Sequence, residues 1–363
     1  DAKILITMAE VRGKVERSKF MDRYEVQIWR TLKRGPCSFW KLLDGQDEHI
    51  KGFVERLKTM MEQGWVVYQE GKFFLSSSGE KIAASFSPAQ EVRCPYCRGG
   101  YNLNVFPKAR EFYSRLIEGR PLPDPRFDQG FMTPDDIFAR VAFMYERGDI
   151  EGQRILLLGD DDLLSLALSA TGLPKSVTVL EVDNRLVDFI EKRRGENNFD
   201  LEVYRYNATD PYPLEDHTFS VFVTDPVESE KGLKVTLSRG AQALHTRGAL
   251  YFGLTTIESS WQKWYKIEKA LLDMNFVVTD VLRRFSSYPD ADNQFDENYY
   301  DQTKMRKLLD VEVPLPADVD WFRSHFLRCE AVEEPRPLVR GKVDFDASFY
   351  LDDETLATPG WES

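Results

Sequence analysis

From residue 128 onward, short runs of consecutive apolar residues alternate with stretches in which apolar residues recur every three or four positions. The runs predict buried strands at 154–158, 176–182, 202–206, 219–224, 249–254 and 276–282. The stretches between them predict helices at 163–170, 185–194, 232–244 and 261–274. Strands that alternate with helices are typical of an α/β fold with a Rossmann-like, doubly wound and mostly parallel sheet. The ligand of such a sheet lies at the carboxyl ends of its strands.

The first part of the chain has a different pattern. Apolar residues at helical spacing predict helices within 24–32, 38–43 and 50–61, and two short strands follow at 65–68 and 72–75. Three helices followed by a hairpin predict a winged helix-turn-helix. We therefore divide the chain into a winged-helix-like N-terminal domain (1–90), a cysteine-containing connector (91–127), a Rossmann-like catalytic domain (128–287) and an acidic C-terminal arm or lid (288–363).

The charge of the chain argues against DNA as its main partner. Between residues 23 and 81, 10 lysines and arginines stand against 8 acidic residues, and the whole chain has a formal net charge of -12. Residues 290–363 carry 18 acidic and 8 basic side chains. An acidic surface attracts a cationic ligand, although a solvated tail has the same composition. Domain packing or dimerisation is the alternative role for the winged helix, because a fold alone does not fix a function.

Cysteine content and hydropathy bear on the compartment and on metal binding. Four cysteines are too few for a disulfide scaffold in a chain of 363 residues. No apolar run approaches the roughly 18–20 residues of a membrane helix. We therefore expect a cytoplasmic protein without a membrane segment. Cys94 and Cys97 supply two thiolates where a structural zinc needs four ligands, which favours a metal-free turn over a degenerate zinc knuckle.

The first strand of the Rossmann-like domain ends in Gly159-Asp160-Asp161-Asp162. A glycine at this turn lets the backbone approach a nucleoside. Three carboxylates repel a pyrophosphate, which disfavours NAD and ATP and favours a ligand with positive charge, such as a sulfonium or an amine. Helix capping explains one or two acidic residues at such a turn, but three are harder to explain in that way.

The next two strands end in further candidates for the nucleoside. Glu181 lies about 20 residues after the glycine turn, where an acid holds ribose hydroxyls. Its neighbour Asp183 is suited to cap the following helix. Asn207 and Ala208 follow the third strand, where they either lie near the base or form an Asx turn.

The fourth strand is followed by Asp225, and Glu228 lies in the loop after it. Both should face the same crevice as the acidic turn. Clustered carboxylates can bind an amine cation, and one of them can accept its proton if burial or neighbouring negative charge raises its pKa. The sequence therefore predicts an acidic site for a cationic amine next to a nucleoside.

Three motifs resemble the branched-chain polyamine synthases of thermophilic archaea and bacteria, the N(4)-bis(aminopropyl)spermidine synthase family. They are Asp128-Gln129-Gly130-Phe131-Met132-Thr133, Leu158-Gly159-Asp160-Asp161-Asp162-Leu163 and Thr224-Asp225-Pro226. The predicted winged helix and the cysteine-containing connector also look like that family, so the resemblance covers most of the chain. The Gly-Asp-Asp-Asp motif in its strand-turn-helix context is fairly specific, whereas the Asp-Pro motif alone is not.

The resemblance implies aminopropyl transfer from decarboxylated S-adenosylmethionine to the secondary amine of spermidine. The products would be N(4)-aminopropylspermidine and then N(4)-bis(aminopropyl)spermidine, with 5'-methylthioadenosine released. No metal or other cofactor is expected, because the sulfonium is already a good leaving group and the protein supplies positioning and charge.

The resemblance also implies a role for each candidate residue. Asp160 would lie closest to the acceptor amine, as its base or orienting group. Cationic amine groups would be bound by Asp161, Asp162, Asp225 and Glu228. The nucleoside would be held by Gln129, Gly159, Glu181, Asn207 and Ala208.

Two other functions are compatible with the predicted fold. An S-adenosylmethionine-dependent methyltransferase of class I shares it, but Asp225-Pro226-Val227-Glu228 lacks the second proline and the aromatic residue of amino methyltransferases that act on bases. The acidic turn should also reject a donor that keeps its carboxylate. A DNA-binding regulator that senses a polyamine is the non-enzymatic alternative, which the weak basic excess disfavours. The sequence does not fix the number of aminopropyl additions, the acceptor range or the oligomeric state, for which a homodimer is one option.

Overall fold

The computed structural model describes residues 23–86, 100–289, 305, 308 and 311–358. Its N-terminal region contains α1 (Arg23–Lys33), α2 (Phe39–Asp44), α3 (Ile50–Glu62), β1 (Val66–Gln69), β2 (Lys72–Leu75) and α4 (Ser77–Ala83). The two strands form an antiparallel hairpin. This is the element order of a winged helix-turn-helix, and the assignment to that fold stays a prediction. Cys94 and Cys97 lie outside the described residues.

The connector contains a helix, α5 (Pro107–Leu116), that the apolar pattern did not predict. Proline stands in its first turn, where the missing N–H costs no hydrogen bond. The buried Tyr113 donates a hydrogen bond from its hydroxyl to the backbone carbonyl of Asp162 at 2.8 Å. The helix therefore packs against the acidic turn and helps to fix its position.

The remaining region is the predicted α/β unit. Its elements are α6 (Pro134–Glu146), β3 (Arg154–Leu158), α7 (Leu164–Thr171), β4 (Ser176–Glu181), α8 (Asn184–Asn197), β5 (Leu201–Arg205), β6 (Phe219–Thr224), α9 (Glu230–Ala243), β7 (Leu244–Leu254), α10 (Trp261–Asp273), β8 (Phe276–Ser287), β9 (Arg323–Ala331) and α11 (Ala347–Tyr350). Seven strands form one sheet in the order β5-β4-β3-β6-β7-β9-β8. The strands from β5 to β7 are parallel, and β9 is antiparallel to both of its neighbours. The predicted Rossmann-like, mostly parallel fold is confirmed.

β9 comes from the segment that the sequence predicts as a C-terminal arm. It lies inside the sheet, between β7 and β8, so the sheet of the catalytic region extends beyond residue 287. Residues 324–329 of this strand are all buried. The apolar pattern does not predict this strand, because His325 and Arg328 interrupt its apolar run. The segment around it is acidic and rich in proline. The other predicted domain limits stay predictions.

The sheet order reverses at β3, which has β4 on one side and β6 on the other. Leu158, the last residue of β3, pairs with Leu180 of β4 and with Thr224 of β6. The carboxyl ends of three parallel strands therefore meet at one crevice, which is the usual ligand site of such sheets. In the ranges given above, no helix is long and apolar enough to cross a membrane.

Candidate active site

A cavity of about 890 Å³, its open mouth included, lies at this crevice. Six acidic residues line it, namely Asp128, Asp161, Glu181, Asp225, Glu228 and Glu258. Three aromatic residues line it as well, namely Phe127, Tyr288 and Phe322. Among the described residues, its lining includes no lysine or arginine. A low-dielectric cleft lined by one sign of charge concentrates ligands of the opposite sign, so this cavity favours a cation.

The acidic turn is tied to the 128–133 motif by two of its aspartates. The carboxylate of Asp161 accepts a hydrogen bond from the backbone N–H of Gly130 at 2.9 Å. The carboxylate of Asp162 accepts one from the backbone N–H of Met132 at 2.6 Å. Gly159 has a φ of 73°, in the left-handed region that suits glycine. Two motifs that lie about 30 residues apart in the sequence therefore form one wall of the cavity.

Asp160 and Asp161 occupy different places. Asp161 lines the main cavity, whereas Asp160 lines a smaller adjoining cavity that also includes Arg140 and Asp225. One carboxylate oxygen of Asp160 accepts from the backbone N–H of Ser165 at 3.2 Å, and the other is buried without a hydrogen-bond partner among the described residues. Burial raises the pKa of Asp160 to about 8 and that of Asp161 to about 6. Burial therefore hinders the ionisation of Asp160 more than that of Asp161.

Glu181, the last residue of β4, lines the cavity. Its two carboxylate oxygens accept hydrogen bonds from the backbone N–H groups of Asp160, at 2.8 Å, and Asp183, at 2.9 Å. Burial raises its pKa to about 7. Asp183 caps α8 through the backbone N–H of Arg185 and also accepts from the side-chain amide of Gln129 at 3.2 Å. The structure therefore brings Gln129, Gly159 and Glu181 together.

Asn207 and Ala208 are absent from the described lining of the main cavity. The side-chain oxygen of Asn207 accepts from the backbone N–H of Thr209 at 3.0 Å and from its hydroxyl at 2.8 Å. The carbonyl of Ala208 accepts from Nε of Arg239 at 3.0 Å. This is the Asx-turn geometry that the sequence left as an alternative, and a contact of either residue with a base stays a prediction.

Asp225 is held by an arginine that no sequence motif indicates. Arg140, fully buried in α6, donates from both terminal nitrogens to the two carboxylate oxygens of Asp225, at 2.6 and 3.1 Å. The hydroxyl of Tyr288 donates to the same carboxylate at 3.1 Å. The guanidinium also lies 4.2 Å from the centroid of the Phe326 ring. Because this bidentate pair neutralises Asp225, that residue adds less negative charge to the cavity than its type suggests.

Glu228 lies in the loop after β6 and Glu258 in the loop after β7, and both line the cavity. Glu228 accepts from the backbone N–H of Thr255 at 2.7 Å and from the hydroxyls of Thr255 and Ser259 at 2.8 Å each. Burial raises the pKa of Glu228 to about 7. Glu258 accepts from the backbone N–H groups of Ala357 and Thr358, at 2.6 and 2.9 Å. The segment near residue 358 is thus fixed to the cavity through a buried carboxyl.

Several lining residues were not among the sequence-based candidates. They are Asp128, Glu258, Tyr288 and Phe322. Asp128 belongs to a quoted motif, and its pKa is raised well above the usual range by burial and by the nearby Glu258. Glu258 lies in the loop after β7, a predicted parallel strand, so the rule that located Glu228 also applies to it. Tyr288 and Phe322 adjoin β8 and β9, whose antiparallel pairing the apolar pattern does not predict, so only the chain's three-dimensional course places them in the site.

Known proteins of similar sequence agree on one family. Residues 108–357 match the family model described as "Branched-chain polyamine synthase A C-terminal domain". The N(4)-bis(aminopropyl)spermidine synthase of Thermococcus kodakarensis is 30% identical over 360 residues, with 97% of this chain and 100% of the relative covered. The protein of the same name from Methanocaldococcus jannaschii is 33% identical over 359 residues, with the same coverage.

A solved structure adds a likeness in three dimensions. It is the crystal structure of the branched-chain polyamine synthase from Thermus thermophilus in complex with N4-aminopropylspermidine and 5'-methylthioadenosine. The likeness has a TM-score of 0.81 at 29% sequence identity, and it covers 97% of this chain and 98% of that chain.

Proposed function

This chain belongs to the branched-chain polyamine synthase family, and from that membership we propose that it transfers aminopropyl groups from decarboxylated S-adenosylmethionine to the secondary amine of spermidine. The products are N(4)-aminopropylspermidine and then N(4)-bis(aminopropyl)spermidine, with 5'-methylthioadenosine released. The observation that carries this proposal is the cavity itself, which has six acidic residues and no basic residue among its described lining. The Thermus thermophilus structure contains one of these products and the released nucleoside.

The protein promotes this reaction mainly by positioning the two substrates and by placing negative charge around them. The lone pair of the secondary amine attacks the aminopropyl carbon that is bonded to the sulfonium sulfur. The carbon–sulfur bond breaks and its electron pair stays on sulfur. In the first transfer the nitrogen loses one proton and becomes a tertiary amine. In the second transfer that tertiary amine, once it is deprotonated and its lone pair is free, becomes a quaternary ammonium and loses no further proton. The donor enters as a cation and leaves as a neutral thioether. An acidic cavity therefore holds both cationic substrates close together and retains the nucleoside product less strongly.

The proton that the amine loses requires an ionised acceptor at the cavity. The resemblance to the family assigned this role to Asp160, and that assignment stays a prediction. The geometry supports Asp161 better, because Asp161 lines the main cavity and has a pKa of about 6. Asp160, whose pKa burial raises to about 8, ionises less readily and lies in the adjoining cavity. We therefore propose that Asp161 receives the proton and that Asp160 supports the turn.

The two substrates are assigned to the two sides of the switch point. Gly159 follows β3, Glu181 ends β4, and Gln129 reaches the same side from the loop before α6. We assign these three residues to the nucleoside. Asp225 and Glu228 lie after β6, on the other side, and we assign them to the amine. Asp162, which holds the backbone of the 128–133 motif, supports the wall between the two.

We infer that the reaction needs no metal or other cofactor, since the sulfonium is itself the leaving group. We infer a cytoplasmic location, which the two described cysteines support, because Cys37 and Cys329 are both free and buried. A homodimer stays a prediction.

The direct test is incubation of the protein with spermidine and either donor, followed by chromatography of the polyamines. We expect aminopropylated spermidine and 5'-methylthioadenosine with decarboxylated S-adenosylmethionine, and no methylated amine with S-adenosylmethionine. Methylated product from the ordinary donor, without aminopropyl transfer, would replace this proposal with the methyltransferase. Tight, salt-sensitive DNA binding without turnover would replace it with the regulator.

A further inference from the structure

A winged helix contacts DNA with its third helix and its hairpin. In this chain, α3 and the β1–β2 hairpin face the catalytic region instead. The first backbone N–H of α3, that of Ile50, donates to the carbonyl of Ile257 at 2.8 Å. The hairpin turn lies against the segment after residue 310, and a Cβ atom added to Gly71 would be 2.8 Å from Cγ of Pro314. A recognition helix that enters a groove needs its N-terminal end free. Here that end is covered by the same chain.

The covering segment, residues 311–323, is bound to the N-terminal region at several points. The indole N–H of Trp40 donates to the carbonyl of Pro314 at 2.9 Å. The hydroxyl of Tyr68 donates to the carbonyl of Glu312. Asp44 of α2 forms an ion pair with Arg323 at 3.3 Å. The N-terminal region therefore fixes both the backbone of this segment and the residue next to Phe322.

A series of aromatic contacts continues from that interface to the active site. The rings of Trp40 and Trp321 are 5.1 Å apart, those of Trp321 and Phe322 are 5.4 Å apart, and those of Phe322 and Tyr288 are 5.5 Å apart. Trp40 and Trp321 are only 1% and 2% exposed. Phe322 and Tyr288 both line the cavity, where the Tyr288 hydroxyl donates to Asp225. Close-packed interiors transmit displacement, so the position of Trp40 bears on the cavity wall.

The sheet order places this aromatic wall on the amine side of the cavity. Tyr288 follows β8 and Phe322 precedes β9, and both strands lie beyond β6 and β7. Glu181, on the nucleoside side, ends β4 at the opposite side of β3. A polyamine presents methylene groups between its charged nitrogens, and these groups are best buried against apolar rings.

We propose that the N-terminal region is a scaffold for the acceptor site, in which the contact series Trp40–Trp321–Phe322–Tyr288 sets the wall against which the methylene groups of the amine pack. This inference rests on the proposed aminopropyl transfer. It makes Trp40 a positioning residue, since Trp40 acts through other side chains and does not touch the substrate. It also gives the predicted winged helix a role other than DNA binding.

The test compares Trp40→Phe with Trp29→Phe, which changes an equally buried tryptophan of the same region. The described ring partners of Trp29 are Trp65 and Phe86, away from the covering segment. For Trp40→Phe we expect the KM for spermidine to rise about tenfold, with kcat within about twofold of its original value. The Kd of 5'-methylthioadenosine should not change. For Trp29→Phe we expect a similar fall in melting temperature and an unchanged KM.

A purely structural role for Trp40 has a different signature. It would reduce the number of active sites, measured as the stoichiometry of 5'-methylthioadenosine binding by calorimetry, and leave the KM for spermidine unchanged. That result, or an equal rise of KM in both tryptophan variants, would overturn the proposal. If Trp40→Phe does not fold, Tyr68→Phe removes only the hydroxyl that binds Glu312, and it should raise the KM about threefold.

The failure of the scaffold and the failure of the proposed reaction can be told apart. Absence of product with the unmodified protein would reject aminopropyl transfer. Calorimetric titration with spermidine needs no turnover, and the same pair of variants can be compared by it. A weaker Kd for spermidine in Trp40→Phe alone would then still support the scaffold, and equal values would reject it.

Discussion

The two sides of the cavity hold their acidic residues by different means. On the side that we assign to the nucleoside, Glu181 accepts hydrogen bonds from the backbone N–H groups of Asp160 and Asp183. On the amine side, Asp225 is held by the side chains of Arg140 and Tyr288, which lie 85 and 63 residues away in the chain. The first arrangement is built from consecutive strand ends. The second is assembled from distant segments, so its geometry depends on packing between regions.

This difference has a consequence for charge. A neutral nucleoside product needs hydrogen-bonding partners whose positions are fixed, and backbone donors hold Glu181 in that way. A cationic amine needs ionised carboxylates, and burial makes ionisation costly. Asp161 and Glu228, with pKa values of about 6 and 7, titrate within the neutral range. Glu181 titrates in the same range, but a neutral nucleoside loses no ion pair when that carboxylate is protonated. Amine binding should therefore respond to pH more strongly than nucleoside binding.

The largest expected effect comes from the carboxylate between the two sides. Asp161→Asn should lower kcat with spermidine and decarboxylated S-adenosylmethionine about 10³-fold, which is within the range of general acid–base contributions. The Kd of 5'-methylthioadenosine should change little, because the hydrogen bonds of Glu181 stay in place. Initial rates and calorimetric titration measure the two quantities.

Asp160→Asn is the matched comparison, one position away in the same turn. An amide oxygen can still accept from the backbone N–H of Ser165, so the helix start is preserved. We expect a loss of about tenfold in kcat, because Asp160 lies in the adjoining cavity. A larger loss in Asp160→Asn than in Asp161→Asn would return the base to Asp160, the residue that the family resemblance implied.

The next expected effect is the pH dependence of amine binding. The Kd for spermidine should weaken about tenfold or more between pH 8 and pH 5.5, because Asp161 and Glu228 become protonated over that range while the amine stays charged. The Kd for 5'-methylthioadenosine should change less. Calorimetry in buffers of different ionisation enthalpy should also detect proton release when spermidine binds. A pH-independent Kd for spermidine would contradict the assignment of these carboxylates to the amine.

The free energy of unfolding of the ligand-free protein provides the control. It should increase as the pH falls, whereas spermidine binding should weaken. Burial raises the pKa of Glu181 and of Glu228 from the ordinary 4.5 to about 7 in the folded protein. Below pH 7 the folded state then binds more protons than the unfolded state, so the free energy of unfolding increases as the pH falls. The melting temperature should rise between pH 8.5 and pH 6.5. Below that range His325, whose pKa is lowered to about 4 by burial, acts in the opposite sense.

The same difference between the two sides explains which residues the sequence could predict. Gly159, Glu181 and Asp225 each lie at the carboxyl end of a parallel strand, and the apolar runs locate those strand ends without any knowledge of packing. Arg140 lies in the middle of a helix, where a buried arginine has no sequence signature. Phe322 precedes a strand that an acidic, proline-rich composition conceals. Strand ends are therefore readable from local pattern, whereas partners that meet through tertiary packing are not.

The smallest expected effect concerns Asn207. It tests whether the residues that bind the nucleoside extend to the end of β5. Asn207→Ala removes two hydrogen bonds to Thr209 and should lower the free energy of unfolding by about 1–2 kcal/mol. Because Asn207 lies outside the described cavity lining, the Kd of 5'-methylthioadenosine should change by less than about twofold. Glu181→Gln should weaken the same Kd about tenfold, because one of the two backbone N–H groups would then face an amide NH₂. If Asn207→Ala weakens binding as much as Glu181→Gln does, the nucleoside side extends to the end of β5 and the Asx turn positions a contact with the base.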